Sequence, residues 1–123
     1  MRILIPDYDR DIIEQVIYLP MLISILEKDL KIIENTPFKL KGPYLDFVEN
    51  TLKTIRIDLR DAKTYMYKNK IKVFKVQSDE NFTMYRFIYK GHEEDHSYFN
   101  PALKTRSDEL LRYYFNNKNK PLS

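Results

Sequence analysis

Two runs of apolar residues, spaced alternately by four and three, constrain this chain more than any other feature. The first is Ile12, Val16, Leu19, Ile23, Leu26, Leu30 and Ile33; the second is Leu45, Val48, Leu52, Ile55, Leu59, Ala62 and Met66. This spacing holds side chains on one stripe of an α-helix, so each run predicts a long helix packed lengthwise on a partner. Asp7 or Asp9 is placed to cap the first helix, with Asp11 and Glu14 near its positive end. It should run to about Glu34, because Asn35-Thr36-Pro37 forces the backbone out of the α region. Pro20 inside it removes one backbone hydrogen bond and predicts a kink. Ile13, Ile17, Tyr18, Met21, Leu22 and Ile25 lie off the stripe, which makes the first half apolar nearly all round. Such a helix is central in its bundle or shared with a second copy. A homodimer through helix one is therefore expected, which Ile17→Glu or Ile25→Glu would split into folded monomers.

The second helix is expected to start with Pro43 at its first position and to reach about Tyr67, closing at Lys68–Lys70. The short link from the first implies an antiparallel hairpin. Residues 71–76 read as an extended crossover. Residues 79–99 satisfy two periods at once. Thr83, Tyr85, Phe87 and Tyr89 alternate as a strand would, whereas Phe82, Tyr85, Tyr89, His92, His96 and Phe99 step by three and four. A third helix, capped by Asp79, is the preferred reading. A last helix opens at Asn100-Pro101 and carries Leu103, Leu110, Leu111, Tyr114 and Phe115, with a frayed tail from about residue 116. The expected fold is all-α: one domain over 1–123, a long antiparallel hairpin plus two shorter helices in a four-helix-bundle-like arrangement. The alternative is α+β, with a β-hairpin formed by 71–76 and 83–89.

A chain of 123 residues is long enough to bury a core without staples, and it contains no cysteine. Disulfides, thiolate nucleophiles and cysteine zinc sites are excluded, which fits a reducing compartment. The start turns acidic where a signal peptide needs an apolar core, and Ile12 to Leu26 is too short and polar to span a bilayer. A cytoplasmic location and no membrane partner are expected. The net charge of +3 is unevenly spread. A basic block holds Lys53, Arg56, Arg60, Lys63, Lys68, Lys70, Lys72 and Lys75 against only Asp58 and Asp61.

His92-Glu93-Glu94-Asp95-His96 matches H-E-x-x-H, in which two histidines one helical turn apart ligate zinc and the glutamate acts as base. The two charged inner positions fit a water-excluding metal site poorly, and nothing marks a third ligand beyond Glu109 as a candidate. If the chain binds a metal at all, His92 and His96 would hold it; no metal and no cofactor is expected. The basic block, with Tyr65, Tyr67 and Phe74 interleaved, has the charge and aromatics to hold a phosphate backbone, and its bland reading is a solvated helix face. Ten tyrosines and seven phenylalanines are too many for all to face inward, and exposed tyrosines anchor interfaces. The candidate interaction surface is Arg56, Arg60, Lys63, Lys68, Lys70 and Tyr113.

Ile17-Tyr-Leu-Pro-Met21, Pro37-Phe-Lys-Leu-Lys41 followed by Pro43-Tyr44, Ile71-Lys-Val73, Tyr89-Lys-Gly91 and Tyr98-Phe-Asn-Pro101 resemble segments of the YhjD family, small proteins of spore-forming bacteria and their phages. The segments spread over most of the chain. None is a chemical motif, so the resemblance implies no activity, transfers no site residues and requires no histidine at 92 or 96. The function expected is that of a non-enzymatic regulatory or adaptor protein binding another protein through helical faces and exposed aromatics. The alternatives are a nucleic-acid-binding module using residues 53–75 and a zinc-dependent hydrolase.

Overall fold

The computed structural model describes residues 4–118. Helix α1 spans Asp7–Glu34 and helix α2 spans Lys41–Lys68. They form the expected antiparallel hairpin, and the heptad stripes are its seam. Leu19, Leu22, Leu26 and Ile55 are fully enclosed, and Ile12, Val48, Leu52, Ala62 and Met66 are buried beside them. α1 begins without a side-chain cap: Pro6 occupies the cap position, and neither Asp7 nor Asp9 caps the first turn. Pro43 is the third residue of α2 rather than its first.

The all-α expectation fails after Lys70. Strands β1 (Ile71–Ser78), β2 (Phe82–Tyr89) and β3 (His92–Phe99) make one antiparallel sheet in the order β1-β2-β3. The fold is α+β; the structure contains the hairpin of the alternative reading and adds a third strand to it. Two turns explain the outcome. Asp79 does not cap a helix; its Oδ1 accepts the Asn81 and Phe82 amides at 2.8 Å each and closes the β1–β2 turn. Lys90 and Gly91 both take positive φ, 50° and 89°, the conformation of a two-residue hairpin loop whose twist matches its strands.

Tyr85, Phe87 and Tyr89 of β2 face inward and pack on Ile12, Ile13, Ile17, Met66 and Leu103. Helix α3 (Asn100–Tyr113) follows β3 directly, with Pro101 in its first turn. Asn100 ties this junction together: its amide bonds Asn81 O at 2.7 Å, and its Oδ1 accepts the Thr83 hydroxyl at 2.7 Å. A π-type turn, Tyr114–Lys118, continues α3 and buries Tyr114 against Leu19, Leu52 and Ile55. Residues 116–118, expected to fray, belong to this turn, and residues 119–123 lie outside the described residues. Ile17 is 3 % exposed and Ile25 43 %. The apolar surplus of helix one is thus buried mainly within its own chain, under the sheet and against α2.

Candidate interaction surface

Asp9 extends the apolar stripe one step upstream, since 9, 12, 16 and 19 follow the same three–four spacing. Its carboxylate is consequently carried inward and is only 7 % exposed. The Tyr65 hydroxyl donates to Oδ1 at 2.6 Å and the Tyr89 hydroxyl to Oδ2 at 2.5 Å, so one carboxylate joins α1, α2 and β2. The two phenols hold the Asp9 carboxyl below its ordinary value. In return, the bond to Asp9 raises the Tyr65 hydroxyl from 10.0 to about 12. A raised tyrosine value contributes stability that is intact below pH 10 and lost as pH climbs through about 12. Tyr65→Phe is therefore expected to lose less stability than the parent chain over that interval, read by thermal melts at stepped alkaline pH.

A cleft of about 650 Å³ opens between α1, α2 and α3, lined by Tyr8, Tyr18, Tyr65, Tyr113 and Tyr114 together with Asp11, Glu14, Asp58 and Asp61. Burial pushes the Tyr18 and Tyr114 hydroxyls up, and Tyr114 donates to Asp58 Oδ2 at 2.6 Å. Both phenols therefore stay protonated near neutrality. Tyr113 belongs to this cleft, whose lining holds none of the lysines with which the sequence grouped it.

The H-E-x-x-H match loses its geometric basis, because His92 and His96 lie on β3. Four residues along a strand separate them by about 13 Å, too far to share an ion. His96 stacks on Phe87, with ring centroids 4.2 Å apart, and its Nε2 lies 3.1 Å from Glu94 Oε1 without hydrogen-bond alignment. Glu109, the third-ligand candidate, pairs with Arg106 at 3.3 Å on α3. Among the described residues, no three His, Asp or Glu side chains are grouped to hold a metal.

The basic block divides in two. Arg56 meets Glu27 at 3.5 Å and Arg60 meets Asp61 at 3.2 Å, both in exposed pairs of small energetic weight. Lys68 is exposed at the end of α2. Lys63 and Lys70 instead join Lys72 around an apolar depression of about 650 Å³ containing Val16, Met66, Tyr67, Val73, Phe74 and Ile88. A second depression, about 530 Å³, shares Val16, Val73 and Phe74 and continues past Pro20, Ser24, Ile25 and Lys75. Together they form a groove along the edge strand β1, walled by the end of α2 in its first part and by α1 in its second. Tyr67, 88 % exposed, stands at one end.

The outer face of the sheet borders this groove. The register places Phe82, Met84, Arg86 and Ile88 of β2 on that face, with Lys72 and Phe74 from β1 and Glu93, Asp95 and Phe99 from β3. Arg86 is held by Asp95 at 2.8 Å and Glu93 at 3.0 Å, so the β3 side is acidic and its one cation is neutralised. The β1 side is basic. The preferred sequence reading missed this surface because it took β1 for a crossover and residues 79–99 for a helix; the signal that divides those residues into β2 and β3 is Lys90-Gly91.

Among the described residues, no helix is long and apolar enough to cross a membrane. No solved structure matches the chain. It is 41 % identical over 104 residues to a Bacillus subtilis (strain 168) protein named uncharacterized protein YhjD, covering 85 % of this chain and 87 % of the relative. The family model described as YhjD protein matches residues 4–119, which takes in both helices of the hairpin, the whole sheet and α3. With agreement that extensive, this chain belongs to the YhjD family.

Proposed function

We propose that the chain is a cytoplasmic, non-enzymatic regulatory or adaptor protein that binds another protein through its sheet. One observation carries this reading: helices cover the sheet on one face only, and the central strand of the other face is mainly apolar. A water-facing antiparallel sheet ordinarily alternates polar residues outward. Here Phe82, Met84 and Ile88 occupy three of the four outward positions of β2, with Phe74 and Phe99 beside them. Exposed apolar side chains gathered on one face and rimmed by charge are characteristic of interaction sites. Phe74→Glu combined with Ile88→Glu is expected to abolish a complex recovered by affinity capture from the organism's own cytosol while leaving the circular dichroism spectrum unchanged. A complex that withstands both substitutions would count against the sheet as its site.

Nucleic-acid binding is the second reading, favoured by Tyr67 standing exposed between Lys63 and Lys70, an arrangement suited to stacking a base beside its phosphates. Recovery that collapses on nuclease treatment would bring it forward.

A further inference from the structure

We infer that the free edge of β1 is the docking site for an extended, acidic segment of another protein, which adds to the sheet as a fourth strand. This rests on the protein-binding reading and names the partner's chemistry.

The backbone supplies the first argument. Lys70 O accepts the Lys90 amide at 3.2 Å, which sets the phase of the β1–β2 ladder. Alternate residues point opposite ways in an antiparallel pair, so Lys72 and Phe74 bond to β2, while Ile71, Val73 and Lys75 direct N–H and C=O to the open edge. An unpaired edge of this length is a template for strand addition. Opposite β1 along the second depression stands α1, where Pro20 has no N–H to give the Val16 carbonyl. An incoming strand therefore meets open backbone groups on β1 and apolar contacts from Val16, Pro20 and Ile25.

Charge selects the occupant. Lys63, Lys70, Lys72 and Lys75 surround the groove, and among the described residues none of them is in an ion pair. A second copy approaching through its own β1 would bring like charges together. A second copy approaching through β3, with Glu93, Glu94 and Asp95, would match in charge but join head to tail, building rings or filaments of this chain rather than a closed pair. A separate acidic segment satisfies the backbone, the groove and the lysines together.

The test uses the whole chain and a fluorescent peptide of alternating valine and glutamate, eight residues long to match β1. Fluorescence anisotropy should show saturable binding that weakens at least about tenfold when salt is raised from about 0.05 to about 0.5 M. The triple variant Lys63→Glu, Lys70→Glu, Lys72→Glu should bind at least about tenfold more weakly. The same peptide with alternate amides N-methylated should not bind, a comparison made on the unaltered protein and so independent of how the variant folds. Four results overturn the proposal: no saturable binding of the acidic peptide, equal binding of the N-methylated peptide, equal binding of a valine–lysine peptide, or displacement by a single-stranded oligonucleotide that binds more tightly. Self-association that the acidic peptide dissolves would also overturn it, by making β3 of a second copy the occupant. A cytosolic partner that still binds the triple variant removes this docking site but leaves the protein-binding reading standing; absence of any partner removes that reading itself.

Discussion

Ile17→Glu is expected to unfold the chain, whereas Ile25→Glu, two helical turns along the same helix, should leave it folded. Ile17 is enclosed with Ile13, Tyr85 and Phe87 where α1 crosses the sheet. Removing its side chain costs about 2–5 kcal/mol, and a carboxylate in that place adds a desolvation penalty or must protonate. A domain of this size has a total stability of roughly 6–18 kcal/mol at about 0.05–0.15 kcal/mol per residue, so this single change removes much of it. Ile25 lies in the open groove, where a substitution ordinarily stays within about 0.5 kcal/mol. Urea unfolding followed by circular dichroism separates the two. Folded monomers from both would mean that the apolar half of α1 is an interface between copies and not the core described here.

Asp9→Ala should be the most damaging substitution of a charged residue. It removes two charge-assisted hydrogen bonds and leaves the buried Tyr89 hydroxyl without its acceptor, for a loss of about 2–3 kcal/mol at neutral pH. The pH dependence has a definite sign. Asp9 has its value lowered below 3.8 by the two phenols. Its contribution is therefore present above that ordinary value and disappears as pH falls through the lower folded value. The difference between the parent and Asp9→Ala should shrink steadily on acidification below about pH 4. Asp79 and Asp95 are also lowered, by amides and by Arg86 respectively, so the parent keeps part of its acid sensitivity in the variant. A gap that stays constant down to strong acid would show that Asp9 acts through packing and not through its charge.

The helical hairpin was legible because its two seams obey one period over many turns, and Leu19, Leu26, Val48, Leu52 and Ile55 occupy the interior their spacing assigns them. The sheet was legible only as an alternative, and without its third strand, for a physical reason. Alternation reveals a strand when one face is polar, and here Phe82, Met84 and Ile88 make the outer side of β2 mainly apolar as well. With aromatics on both faces, the three–four steps through Tyr85, Tyr89 and His92 become as visible as the alternation. The turn chemistry at Asp79 and at Lys90-Gly91 was the deciding information. The basic block misled in a similar way: net charge along the sequence joined Arg56 and Arg60, which have local partners, to Lys63, Lys70 and Lys72, which border the groove. The feature that blurred the strands is the one on which the proposed function rests, because an apolar outer face hides a sheet from periodicity and also gives it something to bind.

The most direct measurement is photo-crosslinking in the organism's own cytosol with a benzophenone amino acid placed at Phe74 or, separately, at Tyr113. The two positions are equally accessible, 45 % and 43 % exposed, but Phe74 stands on the β1 edge and Tyr113 in the tyrosine cleft. A protein adduct at Phe74 that maps to an acidic, extended segment of the partner, with none at Tyr113, is the predicted result. Adducts at Tyr113 alone, or equally at both, would contradict the assignment of the sheet edge as the binding surface.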